Sequence, residues 1–214
     1  VGMTDSIFNP MIAGAGLHQI EYAHGVGQCA VSTTEFVNVS DPITVVPGAL
    51  QRICPNDAAT VEVTASGGNG FSYTYTWEPN VTWLNQTEVY PEGTITYQII
   101  TWDNCSKPDT AEVQVIVAPE IELTATTSAP QCQGATGNAS ITVGPGSNYN
   151  IVWSTDPPTT GPSITAPVAR TYQVTITDPI FGCEKDTAIF IPSEQNVTAY
   201  FTQNPNVGCL GESD

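Results

Sequence analysis

The residues in this chain whose type and spacing suit chemistry are its six cysteines, Cys29, Cys54, Cys105, Cys132, Cys183 and Cys209. Cys54 and Cys105 stand 51 positions apart, as do Cys132 and Cys183, while Cys54 to Cys132 and Cys105 to Cys183 are both 78 positions. Two identical spacings recurring at one period are hard to obtain by chance. No Cys-x-x-Cys pair or Cys/His cluster accompanies them, so they do not read as metal ligands. The expected chemistry is thiol oxidation, giving the disulfides Cys54–Cys105 and Cys132–Cys183 in an oxidising, exported location. Closing a loop of this length stabilises by about 4 kcal/mol in the chain-entropy picture, a large share for a small unit. Cys29 occupies the place of a second cysteine and Cys209 that of a first, so both read as half-cystines with partners outside these residues.

No catalytic residue and no metal ligand is assigned. His18 lies on the face of Ile20 and Tyr22, and His24 falls in the turn His24-Gly25-Val26-Gly27. Neither has a nucleophile elbow or metal motif to work with. No cofactor is expected. Calcium held by oxygens from separate loops stays open, although no Asp-x-Asp-x-Asp-Gly loop is present. Trp83, in the loop-like stretch Asn80–Gln86, reads as a core residue, with stacking on a sugar or a neighbouring protomer as the alternative. Trp77 and Trp153, 23 and 21 residues after the first cysteines, read as core residues of central strands.

The elements that must hold these residues are strands. In Gly93–Val117, Ile95, Tyr97 and Ile99 alternate with Thr94, Thr96 and Gln98, and beyond a cysteine-bearing turn Val113, Val115 and Val117 alternate with Glu112, Gln114 and Ile116. Period-2 alternation of β-branched and aromatic residues marks strands with one face in a core. The strand–Cys–strand unit recurs at Arg170–Pro192 and, more loosely, at Gly16–Val39. The chain therefore reads as a tandem array. Residues 1–42 are the closing half of a domain, 43–118 and 119–193 are complete domains, and 194–214, with a strand at Val197–Gln203, start another. In the first complete domain, strands are expected at Ile43–Val46, Ala59–Ser66, Phe71–Trp77, Val89–Tyr90, Thr94–Trp102 and Thr110–Val117. The second has them at Ile121–Thr126, Asn138–Val143, Tyr149–Ser154, Ser163–Thr165, Arg170–Asp178 and Thr187–Ile191. Gly67-Gly68-Asn69-Gly70 reads as a hairpin turn with positive φ. A disulfide between the two cysteines of a domain requires both at the same end of the sandwich, hence an even number of full strands between them; four are expected.

Four basic residues against 21 acidic ones give a formal charge of −17. Such a surface repels phosphate backbones and anionic membranes, which excludes nucleic-acid binding. No apolar run is long enough to span a bilayer, so direct membrane insertion is not expected. The short linkers carry no Gly/Ser tract, and repeats joined this way are expected to form a semi-rigid rod.

Phe8–Cys29 is similar to the closing half of PKD/Ig-like modules in large Bacteroidetes surface proteins. Cys132, Gly134, Gly137, Trp153, Tyr172, Val174, Ile176, Asp178, Gly182 and Cys183 resemble the repeat of gliding-motility adhesins. The middle domain departs, with Asp103-Asn104-Cys105 in place of Gly-Cys. The resemblance implies an all-β chain of Ig-like or PKD-like sandwiches, extracellular or on the cell surface and secreted by the type IX system. It implies a stalk segment of a giant adhesin or extracellular filament used for attachment or gliding. Its partners would be neighbouring domains of the same chain, identical chains in a filament, or surface glycans. The alternatives are a glycan- or protein-binding module using loops such as Asn80–Gln86, and accessory domains of an exported enzyme.

Asp-Ser/Thr followed by an aliphatic residue, at Ser6, Thr110 and Thr187, resembles the O-glycosylation sequon of Bacteroidetes exported proteins. Thr110 and Thr187 read as matching positions after the second cysteine. On this reading, protein from its native source has an intact mass above that of its sequence, with the excess on peptides carrying these residues. An unmodified mass would sink the assignment.

Overall fold

The computed structural model describes residues 3–4, 7–25, 27–70, 72–130, 135–146, 148–166 and 168–193. Ser6, Cys132, Cys209 and the strand expected at Val197–Gln203 lie outside the described residues. The chain divides into two compact units, Val1–Glu120 and Ile121–Asp214.

The first unit opens with β1 (Met3–Thr4) and β2 (Ile7–Phe8), an antiparallel pair. One helical turn, α1 (Pro10–Ala13), follows; the Asn9 side chain caps it by accepting from Met11 N. β3 (Gly16–His24) and β4 (Val31–Val39) then form a hairpin closed by the turn that carries Cys29.

The sandwich of this unit contains β5 (Thr44–Pro47), β6 (Gln51–Ile53), β7 (Ala59–Ser66), β8 (Thr74–Glu78), β9 (Gln86–Val89), β10 (Ile95–Trp102) and β11 (Asp109–Val117). One sheet has the order β5-β7-β9 and the other β6-β11-β10-β8. All ladders are antiparallel except β6 with β11, which run parallel and pair Gln51 with Val115 and Ile53 with Val117. Alternation drives the layering: Ala59, Val61 and Val63 of β7 face inward, as do Tyr97 and Ile99 of β10 and Val113 and Val115 of β11. At the centre lies Trp77, fully buried and edge-on to Tyr97 with ring centroids 6.4 Å apart.

Two expectations change here. β6, a three-residue strand too short to show a period, is an element the sequence reading omits. Gly67–Gly70 is not a hairpin, because β7 and β8 belong to different sheets; it is a turn between the sheets, and Gly67, Gly68 and Gly70 do have positive φ.

Strand direction fixes which loops share an end of the sandwich. The chain arrives at the start of β5 and leaves at the end of β11. Cys54 directly follows Ile53, whose carbonyl accepts from Ala118 N, so Cys54 lies at the exit end. From there β7 runs to the arrival end. β8 climbs only part of the way, with Glu78 opposite Gln98, before the chain crosses to the other sheet. β9 completes the climb, from Gln86 opposite Glu62 to Val89 opposite Ala59. β8 and β9 thus share one pass. β10 then descends, leaving Cys105 at the arrival end, ahead of β11. The number of full passes between the cysteines is odd, not even. β11 alone separates the two ends by about 25 Å at roughly 3.3 Å per residue, and a disulfide tolerates Cα separations only up to about 7 Å.

The second unit repeats the plan. β12 (Glu122–Ser128), β13 (Gly137–Gly144) and β16 (Ser163–Ala166) form one sheet, and β15 (Thr159–Thr160), β14 (Asn150–Trp153), β17 (Arg170–Thr177) and β18 (Glu184–Ile191) the other. Trp153 is fully buried, with Tyr172, Val174 and Ile176 beside it in the core. β14 and β16 again divide one pass, the first pairing with the lower half of β17 and the second with the start of β13.

Each core tryptophan also satisfies its indole N–H at 2.8 Å, Trp77 on Leu84 O and Trp153 on Gly161 O. Trp77→Ala or Trp153→Ala is expected to cost about 3–5 kcal/mol of its module's unfolding free energy. Among the described residues, Thr101 Oγ1 is the one buried side-chain polar atom with no hydrogen-bond partner. Thr101→Val, similar in shape, is expected to raise stability by about 1 kcal/mol. Urea unfolding followed by tryptophan fluorescence checks both.

Candidate functional site: the turns that carry the cysteines

Each of the hairpins β3–β4, β10–β11 and β17–β18 has a cysteine between its two strands, and in the two sandwiches an aspartate organises that turn. In the first it is Asp103, 2 % exposed. Its Oδ1 accepts from Cys105 N at 3.0 Å and Ser106 N at 2.7 Å, and its Oδ2 from Asn69 N and the Ser106 hydroxyl. Asn69 Nδ2 donates in return to the Asp103 carbonyl at 2.7 Å. This locks the β7–β8 turn to the β10–β11 turn. Gly68, at φ +62°, makes the approach feasible, because a Cβ there would collide with Asp103 Oδ2. Burial favours the neutral carboxyl, but hydrogen bonds from the Ser106, Asn69 and Cys105 backbone and from the Ser106 side chain outweigh it. The carboxyl is held at about 2, well below the usual carboxylate range. In the second module Asp178 takes this place: its Oδ1 accepts from Ile180 N and Phe181 N, and its own N–H donates to Cys183 O at 2.8 Å.

The cysteines themselves differ. Cys29 and Cys105 are free thiols, both exposed. Cys54 and Cys183 are each disulfide-bonded, and Cys183 is buried. The expected Cys54–Cys105 bond is therefore absent, for the reason given by strand parity: its ends lie at opposite ends of the sandwich. The expected Cys132–Cys183 bond falls on Cys132, outside the described residues. Ser128 and Gly137, which flank Cys132 in sequence, belong to the exit end of the second module, near Ala166, whereas Cys183 belongs to its arrival end.

Trp83 is 66 % exposed, as is its neighbour Leu84, so Trp83 is not a core residue. It sits in the crossover from β8 to β9, whose direction is set by the change of sheet and not by a hydrophobic period. Thr110 and Thr187 are not matched either. Tyr97 pairs with Val113 and Tyr172 with Ile189, which aligns Thr187 with Ala111. Thr110 accordingly faces solvent while Thr187 is half-buried on the inward-facing register. His18 contacts Phe8, with ring centroids 5.9 Å apart, and its Nε2 lies 2.8 Å from Gly14 O. Among the described residues no three His, Cys, Asp or Glu side chains converge as metal ligands, and no helix is long and apolar enough to cross a membrane.

The sheet orders decide the architecture: an A-B-E sheet against a C-F-G sheet, with A′ running parallel to G in the first module. The fold is immunoglobulin-like. No family model matches the sequence, and no curated protein matches it. Among solved structures, a three-Ig fragment of titin aligns over 84% of this chain and 75% of its own, with 10% identity and a TM-score of 0.49. The two Ig domains of DIP-gamma align over 72% of this chain and 99% of theirs, with 8% identity and a TM-score of 0.44. Overlaps of this extent carry no argument about partner or activity.

The Asp103 turn has a defined acid signature. A carboxyl held at about 2 when folded, against an ordinary value of 3.8, contributes stability that is fully present above about pH 4 and is lost as pH falls through 2. Asp103→Asn is therefore expected to lower the urea midpoint at pH 7 while shrinking the drop between pH 5 and pH 2. An unchanged acid dependence in the variant would contradict the assignment.

Proposed function

We propose that the chain is a load-bearing stalk segment of an exported, cell-surface or extracellular filamentous protein, an adhesin of the attachment or gliding type. The observation that carries this reading is the parallel pairing of β6 with β11. Force entering where the chain arrives and leaving at the end of β11 slides these strands along each other. Their ladder bonds lie across the direction of pull and share the load at once, instead of opening one by one. The disulfide-bonded cysteines fit an oxidising compartment, and the charge of −17 keeps acidic chains apart in solution. A second reading, a glycan- or protein-binding module, is favoured by one observation, the exposed Trp83 and Leu84 in the β8–β9 crossover.

Single-molecule pulling under reducing conditions separates them. A stalk segment is expected to lengthen in discrete steps, one per module of about 75 residues, each releasing about 250 Å at roughly 3.3–3.6 Å per extended residue. Smooth extension without a force barrier, together with glycan binding that Trp83→Ala abolishes, would replace the stalk reading with the binding one.

A further inference from the structure

In each sandwich one charged side chain reaches from its own sheet to the backbone of the other. In the first, the Val45 N–H donates to Asp109 Oδ2 at 2.9 Å. Val45 belongs to β5, in the β5-β7-β9 sheet, and Asp109 opens β11, in the opposite sheet. In the second, Lys185 Nζ donates to Ile121 O at 2.6 Å. Ile121 leads into β12 and Lys185 lies near the start of β18, again in opposite sheets. Both bonds span the same separation in sequence, 64 residues. They also occupy one position of the common plan. Asp109 stands four residues before Val113, the partner of Tyr97, and Lys185 four before Ile189, the partner of Tyr172. Val45 and Ile121 are both buried. Only the polarity differs: a carboxylate accepts an N–H in one sandwich, and an ammonium donates to a carbonyl in the other.

β5 and β12 are edge strands of their sheets, so each has one side with no ladder neighbour. Backbone groups on such a side must be satisfied by something other than a strand of the same sheet. We propose that Asp109 and Lys185 are latches, positioning residues that hold the strand by which the chain enters a sandwich to the strand by which it leaves. The bonds are charge-assisted, and so stronger than the neutral bonds of a ladder. The two chemistries are not interchangeable. An ionised carboxylate only accepts and an ammonium only donates, so each latch fits its own backbone group and fails on the other. In the first sandwich the latch stands beside the β6–β11 ladder. Load entering along β5 then reaches β11 through a side chain as well as through that ladder. This consequence rests on the stalk reading; the latch itself does not.

The test is amide hydrogen exchange on the full chain, followed by NMR. In Asp109→Ala the Val45 amide is expected to exchange roughly tenfold faster or more, while Ile99, in the middle of β10, keeps its rate. Asp109→Asn, whose Oδ1 still accepts, is expected to retain the protection of Val45, and Asp109→Lys, which has no acceptor, to lose it as Ala does. In the second sandwich the polarity reverses. Lys185→Glu is expected to speed exchange along β12, and Lys185→Gln, whose Nε2 still donates, to preserve the slow rates. An unchanged Val45 rate in Asp109→Ala overturns the proposal, as does equal loss in the Asn and Ala variants. If Asp109→Ala does not fold, the Lys185 pair decides, and equal exchange in its two variants overturns the proposal. No force is applied in these measurements, so they fail separately from the pulling experiment.

Discussion

A strand that leaves one end of a sandwich can return to it only along another strand. That constraint governs where every loop residue of this chain lies. In both modules the third and fourth strands of the common plan share a single pass, because one sheet takes the lower half of the climb and the other sheet the upper half. In the first module the consequence is an odd number of passes between Cys54 and Cys105, and their placement at opposite ends. A pairing that looks compelling as arithmetic on sequence spacing becomes a distance of a whole sandwich. Covalent geometry has no tolerance for such a gap.

The shared pass needs something to hold the crossover, and the core tryptophans supply it. Trp77 and Trp153 lie at the top of the half-height strand, where the chain turns toward the other sheet, and each donates its indole N–H to a carbonyl of that crossing segment. The same side chain thus fills the core and fixes the switch of sheet. A buried N–H left unpaired would cost about 1–3 kcal/mol, so packing and crossover geometry support each other.

At the arrival end the organising group is a carboxylate. Asp103 and Asp178 collect backbone N–H groups of the cysteine-bearing turns, and so present Cys105 and Cys183 in defined positions. In the first module Asp103 also ties in the glycine-rich turn between the sheets through Asn69. A side chain that is buried, charged and fully hydrogen-bonded rigidifies the loop that carries the cysteine.

From its own residues the sequence establishes the strands and the repeat. The alternation at Ile95–Ile99 and Val113–Val117, the two tryptophans at near-equal offsets and the doubled cysteine spacing are local or periodic signals, and the β elements they predict are present. Period-2 patterning is written in side chains that a single strand must divide between core and water. What it does not contain is which sheet a strand joins or how far along its neighbour it runs. Those are matters of long-range pairing, and only the tertiary structure decides them: that β6 exists beside β11, that Trp83 faces solvent, that Thr187 aligns with Ala111 and not with Thr110. The cysteines show the division most plainly. Their number and period can be read from the chain, but which end of a module each occupies depends on counting passes through two sheets, and a strand divided between sheets cannot be counted from its residues.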